Sequence, residues 1–264
     1  MILVDGKKLA AEQYTHLKKE IAALETPPVL LVIMVGENRA SRKFVEVKER
    51  IAEKIGVEFR LNEYEESIDT EELMREIDRA NTNRDITGIV LQLPLPAHID
   101  SERAIMAVDP LKDIDALSPE SRSNAPVALA VEEVLRSNNI NVRGKRTVVV
   151  GSGKLVGQPV AVSLAAAGAD VVVVNSKTKD IPLILKTADI VVSGAGSPHF
   201  IKPEMLKPGV VLIDAGTSEQ TGSLFGDVDP SCAVVASFFT PVPGGIGPVT
   251  VAFLYKNLLT AARG

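Results

Sequence analysis

Apolar positions along this chain follow two alternating rhythms. Leu9, Ala10, Leu17, Ile21 and Leu24 fall near helical spacing before Pro27-Pro28, which predicts a helix over 5–24. Val29-Leu-Leu-Val-Ile-Met-Val35 is an unbroken apolar run closed by Gly36, the pattern of a buried strand. The spacing then predicts a helix over 41–55, with Ser41 as N-cap and Gly56 just beyond its end. Phe44, Lys48, Ile51, Ala52 and Ile55 share one stripe of it, so Lys48 lies on the face turned towards the protein. Two readings of Lys48 stay open: an amine snorkelling from the stripe's edge, or a partly desolvated amine suited to proton transfer. A strand over 57–61, a helix over 70–81 with a capping-box-like start, and a strand with its exit over 86–96 follow. Gln92 is the polar residue of that last run, at the strand end where α/β sheets bind ligands, although backbone contacts alone would also account for it. Asp113 and Asp115 stand two residues apart in a segment that, taken alone, reads as a solvated turn.

From about residue 125 the rhythm becomes a regular strand–helix alternation. Helices are predicted over 127–135 and 158–167, the second with Pro159 in its first turn, where proline is tolerated. Strands are predicted over 145–150, 171–174, 190–192, 210–213 and, as a fifth, 233–236. Small-residue turns follow the strands: Gly151, Asn175-Ser176, Ser193-Gly-Ala-Gly196 and Asp214-Ala-Gly216. This is the pattern of a Rossmann-like half, with phosphate expected over Gly151 to Gly157 at a helix N-terminus. The glycine spacing is GxGxxxG, so the strand–turn–helix context carries more of the argument than the fingerprint. Cofactor contacts are expected from Gly151, Ser152, Gly153, Val156, Gly157, Gly194, Gly196, Asp214 and Gly216. Asn175-Ser-Lys-Thr178 offers no carboxylate for a ribose 2′-hydroxyl, while Ser176, Lys177 and Thr178 could receive a 2′-phosphate. That favours NADP and leaves NAD open.

Two prolines and two glycines in Pro241-Val-Pro-Gly-Gly245, with Gly247 and Pro248 after them, precede an apolar run over 249–259 that suits a helix. Proline fixes φ and removes amide donors, and glycine admits a ligand close to the backbone, so 240–248 is expected to form a rigid loop walling a site.

Composition narrows the class. The chain has 264 residues, 45% hydrophobic, 24% charged and only 4% aromatic with no tryptophan, so a globular α/β protein with an aliphatic core is expected. A net charge of −5 argues against a general nucleic-acid or membrane binder. The single cysteine, Cys232, and the scattered His16, His98 and His199 offer no disulfide pair or metal-ligand spacing. The N-terminus turns charged at Asp5 and no apolar run is long enough for a bilayer, so a cytoplasmic protein is expected.

Several stretches together resemble one family, methylenetetrahydrofolate dehydrogenase/methenyltetrahydrofolate cyclohydrolase. They are Val35-Gly-Glu-Asn-Arg-Ala-Ser41 through Lys48 and Ile55-Gly56, Gly88-Ile-Val-Leu-Gln-Leu-Pro-Leu-Pro96 and Lys112-Asp-Ile-Asp115. In the second half they are Val156-Gly-Gln-Pro159, Ser176-Lys-Thr178, Ala188-Asp189, Gly226-Asp-Val228, Thr240 to Pro248 and Thr250-Val-Ala252. The resemblance implies two α/β domains, the second a Rossmann-like parallel sheet, with an active-site cleft between them. Residues 1–120 with a returning helix over 249–264 would form the folate-binding catalytic domain, and 121–248 the dinucleotide-binding domain. It implies oxidation of 5,10-methylenetetrahydrofolate to the methenyl form with NADP (or NAD), and hydrolysis of that product to 10-formyltetrahydrofolate. Lys48, Gln92 and Asp115 would be catalytic, Ser41, Phe44, Pro241, Gly244 and Gly245 would contact substrate, and Thr250 would contact the cofactor. A homodimer is implied, with no nucleic acid, membrane or metal involved.

The chain departs from the family pattern in three places. Phe44 stands where a tyrosine usually precedes the lysine by four residues, and Ala116 replaces a glycine in a shortened segment lacking a Pro-Cys-Thr-Pro run. Gly151-Ser152-Gly153 stands where Gly-Arg-Ser is frequent. These departures motivate an alternative: a weakened paralogue that binds folate or nucleotide, with cyclohydrolase activity reduced or lost. A dehydrogenase of small hydroxy acids is a third reading, for which the second half supplies no catalytic His or Lys-Asp pair.

Overall fold

The computed structural model describes residues 1–220 and 223–264. In chain order the elements begin with β1 (Ile2–Leu3), α1 (Gly6–Ile21), β2 (Val29–Val35), α2 (Arg39–Ile55), β3 (Glu58–Tyr64), α3 (Thr70–Thr82), β4 (Gly88–Leu91) and α4 (Ser101–Ala107). They continue with α5 (Pro126–Ser137), β5 (Arg146–Val150), α6 (Gly157–Ala166), β6 (Asp170–Val174), α7 (Ile181–Leu185), β7 (Ile190–Ser193) and β8 (Val211–Asp214). The last are β9 (Ser218–Gln220), β10 (Ser223–Phe225), β11 (Phe238–Phe239) and α8 (Ile246–Ala262). Two compact units result, one of Met1–Ala11 with Val127–Phe253, the other of Glu12–Pro126 with Leu254–Gly264.

The unit containing 127–253 is built on a six-stranded sheet in the order β1-β11-β8-β7-β5-β6, and the pairs within it are parallel. The chain leaves β5 outward to β6, then returns to β7 on the other side of β5. Such a reversal opens a crevice at the carboxyl ends of the two central strands, the place where doubly wound sheets receive ligands. Val148, Val150, Val174, Val191, Leu212 and Phe239 pack in its aliphatic core. β9 and β10 add a small antiparallel hairpin.

The fifth strand is not at 233–236. Asp229 accepts a hydrogen bond from the Ser231 amide and Pro230 follows it, so Pro230–Val234 coils into a 3₁₀ turn with Val234 82% exposed. The strand position falls to Phe238–Phe239, which pairs with β8 on one side and with Ile2–Leu3 on the other. That pairing is why the first eleven residues, expected with 1–120, group with the later unit.

The other unit holds a three-stranded parallel sheet, β3-β2-β4. Its centre is β2, buried on both faces as its unbroken apolar run requires. α2 starts earlier than its pattern predicts. Asn38, not Ser41, is the N-cap, its side chain accepting from the Ser41 amide at 3.0 Å, while Gly56 ends the helix at φ 85°. The buried stripe is Ser41, Val45, Ala52 and Ile55; Phe44 lies off it and is 41% exposed. α8 begins at Ile246, so Gly247 and Pro248 belong to its first turn and the Pro/Gly loop is shorter than expected. Among the described residues, no helix is long and apolar enough to cross a membrane.

Candidate functional site

Gln92 immediately follows β4, and its backbone amide donates to the Ile33 carbonyl at 2.8 Å, extending the ladder by one residue. Its side-chain nitrogen donates to the Leu93 carbonyl at 2.8 Å, which orients the amide and turns its oxygen outward. Lys48, on α2, donates from Nζ to that oxygen at 2.7 Å. Ser41, two turns earlier on the same helix, donates its hydroxyl to the Leu93 carbonyl at 3.3 Å. Three of the residues singled out from sequence thus meet on one segment. Burial pushes the Lys48 ammonium below its ordinary pKa, and the charge of Asp115 only partly offsets this.

The solvated-turn reading of Asp113 and Asp115 is wrong. Lys112 reaches the C-terminal end of α3 and donates to the carbonyls of Ala80 (3.2 Å), Asn81 (2.6 Å) and Asn83 (2.7 Å), capping that helix. Asp113, 3% exposed, accepts from the amides of Ser118 at 2.9 Å and Leu117 at 3.3 Å, and its own carbonyl accepts from the Ser121 hydroxyl at 2.7 Å. Lys112 and Asp113 therefore build the segment, and among the described residues the Asp115 carboxyl takes no hydrogen bond within it. Burial raises the Asp115 carboxyl; Lys48 lowers it and Asp113 raises it further. Desolvation is the leading cause on both partners: it lowers the Lys48 amine and raises the Asp115 carboxyl, while their mutual attraction opposes both shifts. Ala116 follows with φ 54°, a left-handed conformation that suits the glycine it replaces.

Two residues of this site escape the sequence reading. Tyr255 donates its hydroxyl to the Lys48 carbonyl at 2.5 Å. Asn257 donates its side-chain amide to the carbonyls of Ile114 and Asn124, both at 2.8 Å. The signal was available in principle: these are polar groups on buried positions of an otherwise apolar helix.

In the unit of 127–253, the loop after β5 carries the expected glycines, and they divide into two kinds. A β-carbon on Gly157 would lie 2.0 Å from the Gly151 carbonyl, one on Gly151 2.6 Å from the Gly194 carbonyl, and one on Gly194 2.3 Å from Val156. These three are required by the packing of the protein's own backbone. Gly153 and Gly196 have nothing within 4 Å of that position and open onto free space, as a ligand-facing glycine should. Val156 caps α6 without a side-chain hydrogen bond, leaving this ten-residue helix no side-chain acceptor at its start. An uncapped helix N-terminus beside glycines open to space fits a dinucleotide phosphate. Thr178 closes the turn after β6, accepting from the Asn175 amide at 3.0 Å, and the Asn175 side chain donates to the Ser152 hydroxyl at 3.3 Å. Ser176 and Lys177 stand exposed at that turn.

The later expected contacts fare differently. Asp214 is 1% exposed, and its carboxylate accepts from the amides of Gly216, Asp227 and Val228, so it shapes the protein and is not presented to a ligand. Gly216 owes its lack of a side chain to Asp227, whose carboxylate would lie 2.1 Å from a β-carbon there. Thr250 donates its hydroxyl within its own helix, to Ile246 at 3.1 Å. Gly245 closes a tight turn on the Pro241 carbonyl at 2.7 Å, and Gly244 supports the turn at φ 106°.

Residues 4–115 match the catalytic domain of tetrahydrofolate dehydrogenase/cyclohydrolase, and residues 125–264 match its NAD(P)-binding domain. The chain is 40% identical over 277 residues to the bifunctional protein FolD of Nautilia profundicola, covering 100% of this chain and 98% of that one. Its fold superimposes on the bifunctional FolD methylenetetrahydrofolate dehydrogenase/cyclohydrolase of Campylobacter jejuni with a TM-score of 0.96 and 34% identity, over 100% of this chain and 99% of the other. The Trypanosoma brucei methylenetetrahydrofolate dehydrogenase-cyclohydrolase, complexed with NADP cofactor and inhibitor, gives a TM-score of 0.94 at 38% identity, over 99% and 97% of the two chains.

Proposed function

Because the chain belongs to the tetrahydrofolate dehydrogenase/cyclohydrolase family, we propose that it oxidises 5,10-methylenetetrahydrofolate with NADP and hydrolyses the product to 10-formyltetrahydrofolate, with Lys48 as the proton-handling group. The observation that carries this reading is the hydrogen bond from Lys48 Nζ to Gln92 Oε1 at 2.7 Å. When bound, NADP accepts a hydride from the one-carbon bridge. That leaves a methenyl carbon carrying positive charge, and the oxidation needs alignment more than acid–base help.

Hydrolysis needs a base. A water adds to the methenyl carbon, and its proton passes to the Lys48 amine, whose pKa burial lowers. Gln92 holds the amine in place through one of its hydrogens, leaving the lone pair for that proton. The C–N5 bond of the resulting carbinolamine then breaks as Lys48 returns its proton to N5, the hydroxyl proton is released to solvent, and the formyl group remains on N10. Asp115, whose carboxyl burial raises, is assigned to hydrogen bonding with the pterin, and Ser41 and Phe44 on α2 are assigned as further substrate contacts. Pro241, Gly244 and Gly245 are assigned to substrate, and Gly151, Ser152, Gly153, Val156, Gly157, Ser176, Lys177, Thr178, Gly194 and Gly196 to the dinucleotide, where Ser176 and Lys177 suit a 2′-phosphate.

The weakened-paralogue alternative is not favoured, since Lys48 and Gln92 are joined and Asp115 is charge-coupled to the same lysine. The family resemblance also supports a cytoplasmic homodimer, for which sedimentation would return twice the 28.2 kDa of one chain. A single-chain mass at micromolar concentration would remove the dimer.

The test follows absorbance on adding methylenetetrahydrofolate with NADP or with NAD. Reduced cofactor with neither nucleotide would sink the dehydrogenase assignment. Methenyl product that decays no faster than in buffer would sink the cyclohydrolase assignment.

A further inference from the structure

Asp227 stands outside every role assigned above. It is fully buried, and its two oxygens take hydrogen bonds from one short turn. Oδ2 accepts from the Ser193 hydroxyl at 2.7 Å, from the Ala195 amide at 2.7 Å and from the Gly196 amide at 3.3 Å, while Oδ1 accepts from the Ser197 amide at 2.7 Å. A buried carboxyl group with four donors aimed at it is a strong anchor, because losing it would leave those donors unsatisfied away from water.

The anchored turn follows β7, beside the switch point of the sheet. It is in backbone contact with the turn after β5, since a β-carbon on Gly151 would lie 2.6 Å from the Gly194 carbonyl and 3.0 Å from the Ala195 nitrogen. Gly194 in turn presses against Val156, the cap residue of α6. Whatever sets the course of 194–197 therefore also sets the shape of the helix N-terminus beside it.

Asp227 is itself held by a reciprocal arrangement with Asp214. Its amide donates to Asp214 Oδ1 at 3.2 Å. Gly216 packs against the Asp227 carboxylate and Gly226 against that of Asp214, where β-carbons would lie 2.1 Å and 2.0 Å from carboxylate oxygens. The clasp leaves Asp227 one position and aims both its oxygens at the 195–197 amides.

We propose that Asp227 is a positioning residue for the dinucleotide: its buried carboxylate fixes the Ala195–Ser197 turn, and through Gly194 the Gly151–Gly157 turn, in the shape that receives the cofactor. This rests on the dehydrogenase reading above. The carboxylate reaches the protein's backbone and not the ligand, so its loss acts on cofactor affinity and leaves the one-carbon chemistry intact.

The test compares wild type with Asp227→Asn and Ser193→Ala. Asp227→Asn turns one acceptor into a donor facing amide hydrogens; Ser193→Ala removes a single donor and spares the backbone contacts. Three quantities are read: the Kd for NADP by fluorescence titration, the kcat against KM(NADP) split of the dehydrogenase, and hydrolysis of added methenyltetrahydrofolate without nucleotide. For Asp227→Asn the Kd and KM for NADP should rise about tenfold or more, with kcat at saturating NADP and hydrolysis within about twofold of wild type. For Ser193→Ala the same direction is expected, by about threefold. An Asp227→Asn protein with a native melting profile and unchanged Kd overturns the proposal, as does a fall in kcat at unchanged Kd. If Asp227→Asn does not fold, an unchanged Kd in Ser193→Ala overturns it. Wild-type protein that binds neither NADP nor NAD would instead overturn the dehydrogenase reading.

Discussion

The hydroxyl of Tyr255 donates to the backbone carbonyl of Lys48 at 2.5 Å, joining residues 207 positions apart. That carbonyl belongs to the helix turn from which the Lys48 side chain projects, so the bond steadies the base of the amine and not its tip. Burial also raises the Tyr255 hydroxyl well above its ordinary pKa, which keeps it a donor at any working pH. Tyr255→Phe should preserve packing, cost roughly 1 kcal/mol of stability, and slow hydrolysis several-fold through a less fixed Lys48. Hydrolysis rates equal to wild type in a stable Tyr255→Phe protein would show that the contact holds the fold and nothing more.

Lys48→Met should abolish hydrolysis of methenyltetrahydrofolate and leave measurable hydride transfer, because hydrolysis needs a base and hydride transfer does not. Wild-type hydrolysis should rise with pH through a midpoint below the ordinary 10.5 of lysine, the direction burial imposes. Lys48 binds fewer protons folded than unfolded between that midpoint and 10.5, so its contribution to stability is complete above 10.5 and is lost as pH falls through the folded value. A pH-independent hydrolysis rate between pH 6 and 9, the span natural for such a test, would argue against a neutral-amine base.

Asp214 moves the other way. Burial is the main reason its carboxyl is pushed up to about 7, with Asp227 adding to the effect. The folded protein then holds a proton that the unfolded chain has released, so this group's contribution is fully present below 3.8 and fades as pH rises through about 7. Asp214→Asn should flatten the fall in unfolding free energy across that window, measured by urea titration at several pH values. Parallel curves for the two proteins would refute the assignment.

Ala116 adopts φ 54° where glycine would be unstrained. Ala116→Gly should raise stability by about 0.5–1 kcal/mol, the relief of a left-handed β-carbon less the added freedom of the unfolded chain. Denaturant midpoints decide it, and a midpoint lower than wild type would mean that the alanine methyl contributes packing that outweighs the strain.

The amino-acid sequence by itself determines the local elements and most of the glycine logic. The Val29–Val35 run could be little other than a buried central strand, and Gly56 marks the end of α2 because its position requires a left-handed turn. The meeting of Lys48 with Gln92 is foreshadowed by helical spacing on one side and a lone polar residue at a strand end on the other. Elsewhere, tertiary contacts decide between readings that look alike along the chain. Residues 233–236 read as a strand from their apolar run, yet the pairing edge of β8 is taken by Phe238–Phe239 and the Asp229-Pro230 cap coils the segment before it. Asp113 and Asp115 look like one solvated pair, but Lys112, Ser118 and Ser121 commit the first to the backbone and burial changes the acidity of the second. Asp214 is expected at the cofactor yet is committed to the 216 and 227–228 backbone, while Asp227 braces the 195–197 turn; which carboxyl does which depends on where β8 and the 226–228 segment lie in space, and hydrophobic periodicity carries no information about the partner of a buried polar group.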